Sequence, residues 1–240
     1  MSAVTDDKFL GGRVLVRQST HGFRAGLDAV MLAAAVPARS GENVLELGSG
    51  AGTASLCLAG RVHGLKVVGM EIDAALADLA NGNARANAMD GLVSFVVANA
   101  LDPPPALRRP VHHVLCNPPF HGENGQVSPD AARARALQDG GELVQWLVAG
   151  VKRSAPKGTF TAILRADRLG EALAGLPERG VTVFPLWPRA DAPAKRVIIQ
   201  IRKDARAPLA ILPGLVLHDA GGAYTAEADA ILRGGKAITF

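Results

Sequence analysis

The chain has 240 residues, 48% hydrophobic and 20% charged, enough apolar material for one α/β core and far from the composition of a disordered chain. Its most apolar stretch, Leu27 to Val36, contains Asp28 and stops at Pro37, too short to span a bilayer. The formal net charge is +4, and the surplus is one-sided: residues 1–120 hold 10 basic and 10 acidic side chains, residues 121–240 hold 16 and 12.

Taken in chain order, short β-like runs alternate with longer helical ones, the signature of a mostly parallel sheet covered by helices. A strand is expected over 12–17 and a helix over 28–36, ended by Pro37. The first core strand runs from Asn43 to Leu47, followed by a glycine-rich turn and a helix from Thr53 to about Val62. A second strand, 66–70, ends at Glu71, and Asp73 can cap a helix that runs to about Met89. Further strands are expected at 93–98 and 112–116, with the rigid Pro103-Pro104-Pro105 loop between them. The polar segment 120–138 reads as a loop. Helices over 142–154, 168–176 and 226–232 and strands over 159–164, 181–186, 197–201 and 215–217 complete the pattern.

Two motifs carry chemistry. In Val44-Leu45-Glu46-Leu47-Gly48-Ser49-Gly50-Ala51-Gly52, a strand runs into glycines at alternate positions, which permits a tight turn and close approach of backbone to a ligand. A dinucleotide fingerprint would place its third glycine where Thr53 stands, so a pyrophosphate-binding oxidoreductase is disfavoured. Glu71, 23 residues after Gly48 at the end of the second strand, can accept two hydrogen bonds from a ribose diol. The second motif, Asn117-Pro118-Pro119-Phe120, follows the apolar strand ending at Cys116. An Asn oxygen and a Pro carbonyl can grip the two N–H groups of an aromatic amine, aiming its lone pair, while Phe120 offers a face for stacking.

The glycine turn resembles that of the class I methyltransferases, and with Asn117-Pro118-Pro119-Phe120 the chain resembles their amino-methylating members. The lead-in Gly22-Phe23-Arg24-Ala25-Gly26-Leu27-Asp28, together with Arg196-Val197-Ile198 and Ala223-Tyr224-Thr225, is similar to the bacterial tRNA(Val) adenine-N6 methyltransferase family. The resemblance implies a single Rossmann-like domain over 1–240, a seven-stranded mostly parallel sheet with helices on both faces. Within it, residues 1–40 form an N-terminal extension packed over the cofactor site and 41–240 the catalytic core. It implies S-adenosyl-L-methionine as cofactor, held by Glu46, Gly48, Ser49, Gly50, Gly52, Glu71, Ile72 and Asn117, with Asn99 where the family has an adenine-binding Asp. Asn117, Pro118, Pro119 and Phe120 are the expected catalytic group.

On the substrate side, the resemblance points to Phe23, Arg24 and Asp28 beside the target pocket. His121 is a further candidate there, and the basic residues Arg133, Arg135, Lys195 and Arg196 suit RNA. Adenine in tRNA is the expected acceptor. Because guanine N2 of rRNA and a protein glutamine present similar amines, both stay open as alternatives. Cys57 and Cys116 have no metal-ligand spacing, and Asp6 and Asp7 stand where a signal peptide would be basic. A reduced cytoplasmic protein without metal is expected, its oligomeric state open.

Overall fold

A computed structural model describes residues 4–20, 24–119 and 142–240. The chain opens with an antiparallel hairpin, β1 (Val4–Phe9) and β2 (Val14–Ser19). Only the second strand was expected. β1 is polar at Asp6, Asp7 and Lys8 and lacks a buried face, so hydrophobic alternation does not announce it. In β2 the alternation is strong: Val14, Val16 and Gln18 are buried, while Leu15 and Arg17 point outward.

Helix α1 (Leu27–Ala35) follows, and its last carbonyls give way to an extended Val36, the conformation that the following Pro37 imposes. Then come β3 (Asn43–Leu47), α2 (Thr53–Arg61), β4 (Lys66–Glu71), α3 (Ala74–Ala86), β5 (Val93–Val97) and β6 (Val111–Cys116). The Asp73 carboxylate caps α3 by accepting from the Ala75 and Leu76 amides at 2.8 and 3.2 Å. Helix α4 covers 142–153. The remainder is β7 (Ser154–Arg165), α5 (Leu169–Ala174), β8 (Val181–Trp187), β9 (Arg196–Arg202), the two-residue strands β10 (Ala210–Ile211) and β11 (Leu215–Val216), and α6 (Ala226–Leu232).

The strands lie in the order β10-β8-β9-β7-β6-β3-β4-β5, with β11 also on β8. The expected seven strands are present as β3 to β9 and are extended at one edge by β10 and β11. All pairings are parallel except those of β9, which runs antiparallel between β7 and β8. The chain enters the sheet at β3, moves outward through β4 to β5, then returns to the other side of β3 as β6. That reversal is the topological switch point at which open α/β sheets hold ligands, outside the strands' carboxyl ends.

Two buried apolar clusters show that both faces are covered. Val44, Val67, Leu115 and Ile198 pack with α1, α2, α3, α6 and the hairpin, whereas Leu45, Met70, Val114 and Phe160 pack with α4 and α5. Neighbouring residues of one strand fall in opposite clusters, as the two-residue period requires. The hairpin is tied in by a less usual device. Asn83 on α3 and Asn87 at its C-cap, one turn apart, each accept from and donate to a β2 peptide: Asn87 to Leu15, at 2.9 and 2.6 Å, and Asn83 to Arg17, at 2.9 and 2.9 Å. Two amide side chains thus satisfy an edge that would otherwise be unpaired.

Candidate active site

At the switch point the register sets Leu47 beside Cys116, so Gly48 and Asn117 leave adjacent parallel strands side by side. Strand spacing puts their backbones roughly 5 Å apart. On the other flank Leu47 pairs with Met70 and Glu71 with Val97. Gly48, Glu71, Asn99 and Asn117 therefore all stand at one edge, on four neighbouring strands.

The turn needs its glycines. Gly52 has φ 86°, and a Cβ there would lie 2.5 Å from the Phe95 ring; Gly48 has φ 69°, and a Cβ would meet the Trp146 indole at 3.0 Å. At Gly50 the corresponding direction is open. The carboxylate of Glu71, 8% exposed, organises the turn: Oε2 accepts from the Gly50 amide at 2.8 Å and Oε1 from the Asp73 amide at 3.0 Å. Ionised carboxylate oxygens have further lone pairs, so Glu71 keeps acceptor capacity for a diol. Beside it Ile72 is 71% exposed and Val97 58%, two apolar side chains at the strand ends where a flat ring can lie.

Glu46 has a different environment. It is buried, faces α2, and its Oε2 accepts from both the amide and the hydroxyl of Ser55. Burial pushes its carboxyl up to about 8 against the opposing Ser55 bonds, with the nearby Glu71 charge adding to the rise, so it keeps its proton at neutral pH. Asn99 is exposed and its oxygen accepts from the Leu101 amide at 2.9 Å, closing the loop after β5. The buried Cys116 thiol, raised by burial and by Glu46, stays protonated.

Seven buried side-chain nitrogen and oxygen atoms among the described residues have no hydrogen-bond partner, and four of them belong to residues of this turn or packed against it. They are Ser49 Oγ, Thr53 Oγ1, Asn117 Oδ1 and Trp146 Nε1. A buried polar atom without a partner costs roughly 1–3 kcal/mol, so such a concentration marks a place where a ligand completes the bonding. Hydroxyls, an indole N–H, a ribose-type carboxylate and exposed Ile72 together fit the polar and apolar parts of S-adenosylmethionine, which leaves the Asn117 oxygen for the acceptor. Trp146 was not anticipated from sequence. Its signal was its rarity: it is one of 2 tryptophans in a chain with 4% aromatic residues. Nor was Asn83, whose amide also donates to the Ala51 carbonyl within the turn at 3.0 Å; an Asn in mid-helix, against its propensity, was the available hint.

The expected substrate-side residues are brought together only in part. Pro118 is buried and Pro119 exposed directly after Asn117. Asp28 and Arg196 reach the same edge but bond to each other, Nε to Oδ2 at 2.8 Å. Arg24 grips Asp7 with one nitrogen on both oxygens, at 2.9 and 2.7 Å, and so belongs to the hairpin contact. Lys195 is exposed at the start of β9. Phe23, Phe120, His121, Arg133 and Arg135 lie outside the described residues. No group of three or more metal-ligating side chains occurs among the described residues, and none of their helices is long and apolar enough to cross a membrane.

The chain is similar to proteins named tRNA1(Val) (adenine(37)-N6)-methyltransferase. That of Serratia proteamaculans is 30% identical over 224 residues, covering 84% of this chain and 79% of the relative. That of Aeromonas hydrophila is 28% identical over 207 residues, covering 84% and 85%. Among solved structures, a predicted O-methyltransferase of Agrobacterium tumefaciens superposes with a TM-score of 0.73 at 23% identity, over 88% of this chain and 98% of that one. The 16S rRNA N2 G1207 methyltransferase of T. thermophilus gives 0.57 at 20% identity, over 84% and 50%. Both likenesses concern the fold. The family model for the methyltransferase small domain matches residues 25–163, more than half of the chain. The chain belongs to the methyltransferase small-domain family and is an S-adenosylmethionine-dependent methyltransferase.

Proposed function

We propose that the chain methylates the exocyclic N6 amine of an adenine in tRNA. One observation carries the chemistry: the Asn117 oxygen, buried and without a partner, at the end of β6 beside the glycine turn. When bound, S-adenosylmethionine supplies an electrophilic methyl group on a sulfonium. The chain's residues must then bring an amine into line with it. Asn117 Oδ1 accepts one N–H of the amine and the Pro118 carbonyl the other, which draws the nitrogen out of conjugation and directs its lone pair. Pro118 and Pro119 hold this backbone in one conformation. Glu71 holds a ribose diol and fixes the turn at Gly50. No strong base is needed, because the alkylated nitrogen is acidic enough to release its proton to water.

The relatives' names favour adenine over the similarly presented guanine amine, and tRNA over rRNA or protein. Residues 1–40, on this reading, shape the acceptor side, since the hairpin reaches the turn through Asn83 and Ala51. The test is transfer of labelled methyl to total tRNA, total rRNA and protein, followed by nucleoside mass spectrometry. N6-methyladenosine in the tRNA fraction is expected; label confined to guanosine or to protein would overturn the assignment.

A further inference from the structure

A cleft of about 460 Å³ opens between the hairpin turn, the start of α1 and α6. Phe9, Leu27 and Leu232 are among its apolar lining residues, and Lys8, Arg233 and Tyr224 line it as well. The position follows from the sheet. β11 runs parallel to the last residues of β8, so the turn that carries His218 and Tyr224 emerges at the edge that bears Asn117. Asp28, next to Leu27, is bonded to Arg196 on β9, and β9 is two strands from β6. That separation is roughly 10 Å, and Tyr224, which follows β11 on the far side of β8, stands further out, roughly 19 Å from β6.

The lining has a definite chemistry. Tyr224 is 38% exposed and stacks on His218, ring centroids 4.8 Å apart and planes at 26°. The His218 ring is in turn fixed by a 3.2 Å contact with the Pro188 carbonyl, and the backbone on both sides is bonded, His218 to Pro188 and Thr225 to Leu217. The phenol is therefore pre-set rather than loosely hung. Lys8 is exposed, and the Arg233 side chain is 69% exposed with one nitrogen on Asp229 at 3.0 Å, leaving its other N–H groups to meet an anion. The cleft is also held open. Arg13 donates to the Arg233 carbonyl at 3.2 Å, and a Cβ at Gly11 would come within 3.1 Å of that same oxygen, so hairpin and α6 meet at a fixed distance.

An aromatic ring, an apolar lining and cations are what an unpaired nucleotide demands: a face to stack on, a dry slot for the base, and positive charge for its phosphate. We infer that this cleft receives an unpaired nucleotide of the RNA substrate, one near the methylated base in the same loop, with the base beside Tyr224 and the phosphate toward Lys8 and Arg233. The inference rests on the RNA reading given above. It assigns the hairpin and α6 a task that the transfer chemistry leaves unexplained, that of holding the loop open while the target base reaches Asn117.

The test uses the full chain with an anticodon stem-loop of tRNA(Val) and the same stem-loop carrying an abasic site at each loop position in turn. Tyr224→Ala is expected to weaken stem-loop binding about 5- to 100-fold, as loss of one base–aromatic stack does, and Lys8→Gln less, with affinity for S-adenosylhomocysteine unchanged in both. Tyr224→Phe, which keeps the ring, is expected to bind like the natural chain. At one loop position the abasic substitution weakens binding to the natural chain but not further to Tyr224→Ala. Unchanged affinity in Tyr224→Ala and Lys8→Gln, or additive losses at every abasic position, overturns the cleft assignment while tRNA methylation persists. Absence of any methyl transfer to RNA by the natural chain would instead remove the RNA reading, and the cleft assignment with it.

Discussion

The two ends of the central sheet bury polar groups in opposite ways. At the amino-terminal end, His113 is 6% exposed and fully engaged: Nε2 meets Glu42 at 2.9 Å and Nδ1 meets the Thr159 hydroxyl at 2.8 Å. Gln200, 7% exposed, donates to the Ala35 carbonyl at 2.9 Å. At the carboxyl-terminal end, Ser49, Thr53, Asn117 and Trp146 each hold a buried polar atom with no protein partner. Desolvating a polar group costs the same at either end. At the lower edge His113 and Gln200 recover that cost within the chain, with Arg61 Nε and Arg153 Nε the buried atoms left over there, whereas the upper edge leaves four such atoms around one turn to a ligand. Histidine abundance alone would have pointed to the wrong end, since His112 and His113 are adjacent on β6 and line a hollow there.

Substitutions at each end should separate the two roles. The largest effect belongs to Asn117→Ala, expected to slow transfer by on the order of 10²–10³ or more, as loss of a group aimed at the reacting centre does. Calorimetry should find S-adenosylhomocysteine affinity changed by less than about threefold, because the amide aims at the acceptor. Loss of affinity with turnover intact would reverse the roles. Next is Glu71→Ala, which removes a charged acceptor from the turn and should weaken S-adenosylhomocysteine binding about 10- to 100-fold, in line with hydrogen bonds to charged groups. Equal affinity would show that the carboxylate serves only Gly50 and Asp73.

At the lower edge, His113→Leu should cost roughly 1–3 kcal/mol of stability by stranding Glu42 and Thr159, with specific activity of the folded protein unaltered. The pH dependence has a definite sign. Burial, only partly offset by Glu42, holds His113 below 6.5. The folded state therefore binds fewer protons than the unfolded one, and stability present above pH 6.5 is lost as pH falls. Burial works to raise Glu42, but the Arg39 amide and His113 hold it below 4.5, which adds to the loss further into acid. Across pH 5 to 8 the gap in denaturant midpoint between the natural chain and His113→Leu should narrow toward acid; parallel curves would contradict the network.

At Glu46 the sign is opposite. Its carboxyl is at about 8 when folded against an ordinary 4.5, so the folded state binds the extra proton, and stability declines as pH rises from about 4.5 through 8. Glu46→Gln should flatten that decline and unfold at higher temperature than the natural chain at pH 9, with little difference at pH 4. Identical slopes in both proteins would mean that Glu46 is ionised and solvated.

Sequence reading recovers the sheet best where the period is clean. Strands β3, β4 and β6 were legible within a residue because apolar runs meet glycine or proline at a fixed place. β1 was not, because its inward side carries Thr5 and Asp7 beside Phe9 and is only half-buried, so it shows no apolar alternation. The site was legible where a motif is local. Gly48 to Gly52, Glu71 and Asn117 declare themselves by position after a strand, whereas the contact of Trp146 with Gly48 and of Asn83 with Ala51 joins segments distant in sequence. Ion pairs were the least legible feature: Arg24 and Asp28 with Arg196, expected on the substrate side, bond to Asp7 and to one another, and sequence shows a charge without its nearest counter-charge.

The central claim is that the buried oxygen of Asn117 is reserved for the amine. A crystal structure with S-adenosylhomocysteine and an adenine-bearing stem-loop tests it most directly. Asn117 Oδ1 should lie about 3 Å from the adenine N6, on the side facing the sulfur. An Oδ1 bonded to a protein group, with the N6 amine held elsewhere, would contradict the account.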